Sequence, residues 1–241
     1  MQFTDSHHHL QDYKVKNTQQ IINGLKNEGF FKVVCVSSHP SDWDHVADIA
    51  EKNSDIIIPA FGIHPWYIKE APENWEQKLE EFLVRFPFAQ VGECGLDRLK
   101  APVWEGQTEI FEKHINLARR YARPLNIHLL KAENDFHFFL HKLPQNFMLH
   151  SFSGNLVFLR KVLDCGAYIS LSSATLKRKN FSEIIDTLPL NRLLTETDAP
   201  YQTSSAEMIN FVIQLSKIKK LSEEELAKII FQNFENFNFL R

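Results

Sequence analysis

The chain has 241 residues, 44% hydrophobic and 24% charged, with 27 Lys and Arg against 30 Asp and Glu for a formal net charge of -3. That length fits one large α/β domain or two small ones and buries enough surface to fold without disulfides. Lacking a basic excess, the chain is not one that coats nucleic acid by bulk charge, and any polyanion contact must come from a local patch or from bound metal.

Cys35, Cys94 and Cys165 are the three cysteines, and no two are spaced as a pair. This argues for a reducing compartment and for cysteines that serve packing. The N-terminus has no charged and apolar leader, and no apolar run approaches the ~20 residues of a membrane span. The expectation is a cytoplasmic protein with no membrane partner and no obligate protein partner.

Short apolar runs alternate with stretches of helical period. A first strand is expected near residues 2–6 and a second over 31–36 (FKVVCV). Ser41 and Asp42 offer caps for a helix reaching Lys52. A third strand covers 56–63, weakened in its middle by Pro59, and Asn74 to Arg85 follows as a helix. A fourth strand covers 88–92. Glu105 to Tyr121 is the clearest helix, with Ile110, Phe111, His114, Ile115, Ala118 and Tyr121 on one face. Further strands are expected at 125–128, 147–150, 167–171 and 192–195, separated by helices at 131–142, 154–164 and 180–187. Two helices close the chain, the last opening with Ser222 and Glu225 in capping-box spacing. Eight βα repeats without linkers predict a single α/β domain over 1–241, a (β/α)8 TIM-type barrel with an extra C-terminal helix. An open doubly wound sheet is the structural rival. Phe231, Phe234, Phe237 and Phe239 near the C-terminus are read as packing residues.

In such a barrel, chemistry clusters at the C-terminal ends of the strands. Six of the eight ends carry histidine or carboxylate: Asp5 to His9, His64, Glu93 to Asp97, His128, His150, and Glu196 to Asp198. Alternate side chains on a strand share a face, so His7 and His9 can grip one ion while His8 turns away. Four imidazoles with two carboxylates form a mixed N/O donor set. It suits Zn, Mn, Fe or Co better than Mg.

The segments DSHHH (5–9), GIHP (62–65), GECGLD (92–97), EGQTEIFEKHINLARRYARPLNIH (105–128), HSFSG (150–154) and ETDAP (196–200) now stand together. In this order the chain resembles the TatD-type metal-dependent hydrolases, within the amidohydrolase-like barrels. The resemblance implies two divalent metal ions (Zn, Mn, Mg, Co or Fe). His7, His9 and Asp198 would hold the first and His128 and His150 the second, with Glu93 bridging. Glu93 and Asp198 would be catalytic, Asp198 taking the proton of a metal-activated water. Asp5 and Glu196 would orient ligand histidines from behind, and His64 would face the substrate. The implied substrate is DNA or another phosphodiester, cleaved as by a 3'-5' exonuclease. The alternative is a small-molecule ester or amide, or an aminoacyl-tRNA. One departure is the short loop after ETDAPY, where many relatives carry a longer one.

Barrel loops on the catalytic face carry Arg98, Lys100, Lys131, Lys177, Arg178 and Lys179. Arg119, Arg120 and Arg123 fall at the far end. Arg98, Lys177 and Arg178 are therefore expected to bind substrate phosphates. Other barrels with His-x-His and a terminal aspartate, such as deaminases and lactonases, often bridge their metals with a carboxylated lysine, whereas Glu93 takes that place here. A binding module without activity is disfavoured by the complete donor set.

Overall fold

The structure, a computed structural model, describes residues 1–14 and 17–239. Eight strands form one parallel sheet in sequence order: β1 (Phe3–His8), β2 (Phe30–Val36), β3 (Ile57–Phe61), β4 (Gln90–Asp97), β5 (Leu125–Leu130), β6 (Phe147–Leu149), β7 (Tyr168–Leu171) and β8 (Leu193–Thr195). Between them run α1 (Thr18–Asn27), α2 (Trp43–Lys52), α3 (Trp75–Arg85), α4 (Gln107–Arg120), α5 (Glu133–Phe136), α6 (Leu156–Asp164) and α7 (Phe181–Thr187). α8 (Ser205–Lys219) and α9 (Glu223–Phe239) follow β8. The sheet curls until its first and last strands meet. Asp198 donates its backbone N–H to the His7 carbonyl at 2.9 Å, and His9 donates to the Ala199 carbonyl at 2.8 Å. This is the expected (β/α)8 barrel.

Two departures from the sequence reading bear on function. β4 extends to Asp97, so Glu93 lies within a strand. Gly92 and Gly95, at φ +128° and +143°, permit this. A Cβ at Gly95 would lie 2.0 Å from the His128 carbonyl oxygen, and one at Gly92 2.3 Å from that of Asn126. Glycine thus lets β4 press against β5 where the chemistry sits. The segment expected to be helical over 131–142 is one short α-helix followed by 3-10 turns from His137 to Lys142.

Strand alternation separates two apolar layers. Val33, Cys35, Ile57, Val91, Ile127 and Leu149 pack outward against the helices. Val34, Val36, Ile58, Ala60, Met148, Tyr168 and Leu194 fill the barrel lumen. Phe234 and Phe237 of α9 belong to the lumen cluster, so the last helix plugs the floor of the barrel. Asn233 fastens it there, donating to the carbonyls of Leu190 and Leu193 at 2.6 and 2.8 Å. Its N-terminus carries the expected capping box: Glu225 N–H donates to Ser222 Oγ at 3.2 Å, and Ser222 N–H to Glu225 Oε2 at 2.9 Å. Phe231 and Phe239 are half-buried against Phe31 and Phe88. Among the described residues no helix is long and apolar enough to cross a membrane.

Candidate metal centre

Six lumen-facing side chains converge at the C-terminal mouth. His7 and His9 come from the end of β1, Glu93 from β4, His128 from β5, His150 from the turn after β6 and Asp198 from the turn after β8. Glu93 lies between two imidazole pairs. Its Oε1 is 2.8 Å from His150 Nε2 and 3.1 Å from His128 Nδ1. Its Oε2 is 3.6 Å from both His7 Nε2 and His9 Nε2. Asp198 Oδ1 approaches His9 Nε2 at 3.3 Å and His7 Nε2 at 3.8 Å.

The neighbours of these imidazoles decide which nitrogens carry protons. His9 Nδ1 faces the Val36 carbonyl at 2.8 Å and His7 Nδ1 faces Asn126 Oδ1 at 3.1 Å, so both donate through Nδ1. Their Nε2 atoms are then bare lone pairs 3.0 Å apart. His128 donates through Nε2 to Asp97 Oδ2 at 3.2 Å, leaving Nδ1 bare 3.3 Å from His150 Nε2. When unprotonated, nitrogens this close have no hydrogen bond to make with each other, so each pair is satisfied either by protons donated to the neighbouring carboxylates or by a cation held between them. His150 Nδ1 and Glu196 Oε2 are also buried without partners. The donor set fits divalent metal.

The charges agree. Burial works against charged imidazole in His9, His128 and His150, yet neighbouring carboxylates raise all three, His150 well above the ordinary value. Burial likewise opposes ionisation of Glu93 and Asp198, but the surrounding histidines hold Glu93 well below the carboxylate range and Asp198 at about 2. This is a nest of anionic oxygens and basic nitrogens that gathers positive charge, either as protons or as metal.

His64 is close enough to join a donor set with Glu93 and His128, but its chemistry differs. Its Nδ1 accepts the Trp66 backbone N–H at 3.1 Å, so its proton sits on Nε2, 3.5 Å from Glu93 Oε1. Burial and the neighbouring imidazoles pull it down to about 3. Its ring is neutral, with Nδ1 engaged by the backbone and Nε2 turned to the centre.

The centre forms the wall of a cavity of about 510 Å³ that also admits Trp66, Tyr67, Lys100, Arg178 and Tyr201. A cavity of about 640 Å³ beside Tyr13 and Glu207 has no comparable convergence of donors.

Of the residues expected to bind substrate, His64 and Arg178 line the cavity. Arg98 does not: its guanidinium grips Asp135 at 2.5 and 2.6 Å and lies 3.7 Å over the Trp104 ring. Lys177 is exposed and outside the lining. Glu196 Oε1 faces His150 Nδ1 at 3.6 Å and accepts the Ser151 N–H at 2.6 Å. Asp5 requires a correction. It holds His8 at 2.9 Å and accepts the His7 backbone N–H at 3.2 Å, touching no ligand imidazole. His8 turns away to Asp5, Tyr13 and Thr197, as strand alternation requires. Sequence reasoning assigned no role to Asp97 or Asn126. Asn126 lies two residues before His128 on one strand, and that spacing places both on the same face.

The sequence pattern of the family described as TatD related DNase matches residues 4–238. The chain belongs to the TatD family. A Haemophilus influenzae TatD relative, an uncharacterized metal-dependent hydrolase, is 30% identical over 214 residues, covering 83% of this chain and 82% of its own. The Schizosaccharomyces pombe protein named deoxyribonuclease Tat-D is 29% identical over 197 residues, covering 75% and 63%. In fold, the crystal structure of the TatD homolog YjjV from Escherichia coli superposes with a TM-score of 0.89 at 23% identity, covering 99% of this chain and 98% of that one. The chain is a metal-dependent hydrolase of the TatD family.

Proposed function

We propose that this hydrolase is a two-metal deoxyribonuclease that removes nucleotides from DNA ends, in the 3'-5' direction. The observation that carries the reading is Glu93, whose two carboxylate oxygens each face a separate pair of imidazole nitrogens. His7, His9 and Asp198 would hold one ion and His128 and His150 another, with Glu93 placed to serve both. Bound there, the ions supply Lewis acidity toward a phosphoryl oxygen and make water a nucleophile at neutral pH.

The chain's own groups do the rest. Asp198, ionised and fastened by Gln202 through Oδ2, presents Oδ1 to take the proton of the attacking water. The neutral His64 offers its Nε2–H, and Lys100 and Arg178 offer cations, to the non-bridging phosphate oxygens. The water oxygen bonds to phosphorus as the P–O3' bond breaks, and the proton held by Asp198 passes to the departing O3', yielding a nucleoside 5'-monophosphate and a shortened strand with a free 3'-hydroxyl. A mouth walled by Trp66, Tyr67 and Tyr201 suits a frayed strand end. The name of the Schizosaccharomyces pombe relative points the same way.

The test is chelator-stripped protein reloaded with Mn, Co, Zn or Mg and offered end-labelled single-stranded DNA, duplex DNA, RNA and aminoacyl-tRNA. Metal-dependent shortening of DNA from its 3' end is expected, reduced at least about a hundredfold in Glu93→Gln. DNA left intact while aminoacyl-tRNA, a lactone or dihydroorotate is hydrolysed would overturn this reading in favour of another hydrolase.

A further inference from the structure

Through the largely apolar lumen of the barrel runs a thread of amides, separate from the Ser6–Ser170 hydroxyl pair. Asn238, in the last turn of α9, donates through Nδ2 to the Phe234 carbonyl at 2.8 Å. A carbonyl can only accept, so this contact leaves Asn238 Oδ1 as the acceptor for Gln90 Nε2, also at 2.8 Å. Gln90 Oε1 in turn accepts from Asn126 Nδ2 at 3.3 Å, and the same Nδ2 group lies 3.4 Å from the Ser6 carbonyl. Asn126 Oδ1 is thereby aimed at His7 Nδ1, 3.1 Å away. Each amide has one orientation that satisfies its neighbours, and the sequence of choices begins at a backbone oxygen on the barrel floor. Gln90, Asn126 and His7 are fully buried and Asn238 is 9% exposed, so water does not replace these partners. Three buried amides cost far more unsatisfied than an apolar filling would, and aliphatic and aromatic side chains pack the lumen around them.

We infer that Asn126, oriented by Gln90 and Asn238, is a positioning residue that keeps the proton of His7 on Nδ1 and so commits its Nε2 to metal. This rests on the metal-centre reading above. His9 has a backbone carbonyl for the same task and His128 has Asp97; His7 alone relies on a neutral side chain whose own direction must be fixed from elsewhere. The C-terminal helix is by this route part of the metal centre, although it lies at the opposite end of the barrel.

The experiment compares wild type with Asn126→Leu, Asn126→Asp and Asn238→Leu. Far-ultraviolet circular dichroism and thermal melting confirm that each is folded. Zinc affinity is measured by competition with a chromophoric chelator, and the ring tautomer of His7 by nitrogen-15 NMR of metal-free protein. Asn126→Leu should weaken zinc binding at the His7 and His9 site by about 10–100-fold and abolish the Nδ1–H signal of His7. Asn126→Asp restores the acceptor and should recover affinity to within about threefold of wild type, although it buries a charge and is less stable. Asn238→Leu should mix the tautomers through a residue that touches no ligand. Equal zinc affinity and an unchanged His7 signal in Asn126→Leu would overturn the inference, as would equal losses in the Leu and Asp variants, which mark a packing role. Failure of wild type to bind zinc would instead strike the metal-centre reading, and the tautomer measurement still decides the role of Asn126.

Discussion

The carboxylate of Asp97 holds His128 from behind, its Oδ2 3.2 Å from the imidazole Nε2 and 2.8 Å from the indole nitrogen of Trp66. His128 therefore presents Nδ1 to the centre, whereas His7 and His9 present Nε2. Burial opposes charge on Asp97, but the bonds from His128, Lys100 N–H and Trp66 keep it ionised well below the usual range. Asp97→Ala should cost the His128 site about 10–100-fold in metal affinity while the ion at His7 and His9 remains. Asp97→Asn, which keeps an acceptor, should cost less. Metal-to-protein ratios after dialysis against graded chelator check this; unchanged ratios in Asp97→Ala would remove Asp97 from the centre.

Metal should compete with protons. His9, His128 and His150 are all raised, so without metal they hold protons above the ordinary imidazole range and must release them to coordinate. Affinity then falls as pH drops through these raised values. Calorimetric titration in two buffers of different protonation enthalpy should show net proton release, with affinity rising from about pH 6 to 8. Binding with no proton released would contradict the assigned ligands.

Arg178 and Lys177 are neighbours with different prospects. Only Arg178 lines the cavity; Lys177 is exposed outside it. Arg178→Ala should lower the salt slope of single-stranded DNA binding by about 0.7, the share of one phosphate contact. Lys177→Ala should leave the slope unchanged. Equal slopes for Arg178→Ala and wild type would exclude a phosphate contact at Arg178.

His114 makes stability depend on pH. It is buried in α4, stacked 4.7 Å from Trp75, and accepts the Ile63 N–H through Nε2 at 3.2 Å while donating through Nδ1 to the Ile110 carbonyl at 2.7 Å. Burial pulls it down to about 4. In the unfolded chain it titrates near 6.5, so between about pH 6.5 and 4 the unfolded state binds the extra proton. Its contribution is present above 6.5 and lost as pH falls through that window. A change of about 2.5 units corresponds to about 3 kcal/mol. In urea unfolding, the advantage of wild type over His114→Gln should shrink by about that amount between pH 7 and 4. An advantage that stays constant would show that His114 is not buried neutral.

The barrel and the cluster of donors were legible because each leaves a local mark: short apolar runs alternating with stretches of helical period, and histidine or carboxylate at strand ends. What the sequence does not display is direction. Arg98 and Arg178 look alike on loops, and only the fold reveals that Asp135 has taken the first. Regular alternation would put Asp5 on the face of His7, yet an irregularity of β1 between Asp5 and His8 hands it to His8. Asn126 reads as one more strand residue until α9 delivers Asn238 to the same thread.

The seam between β1 and β8 has a further consequence, in time. His7 and His9 leave the ribosome well before Asp198, which donates its N–H to the His7 carbonyl and lies 191 residues after His7 in the chain. At ordinary elongation rates of about 5–20 residues per second, on the order of ten to forty seconds separate them. Through that interval the histidine pair has no aspartate partner and the barrel has no floor. The nascent chain therefore holds two imidazoles but not the enclosed donor set, and a hydrolytic centre of this kind stays unassembled until β8 and the turn after it have been made.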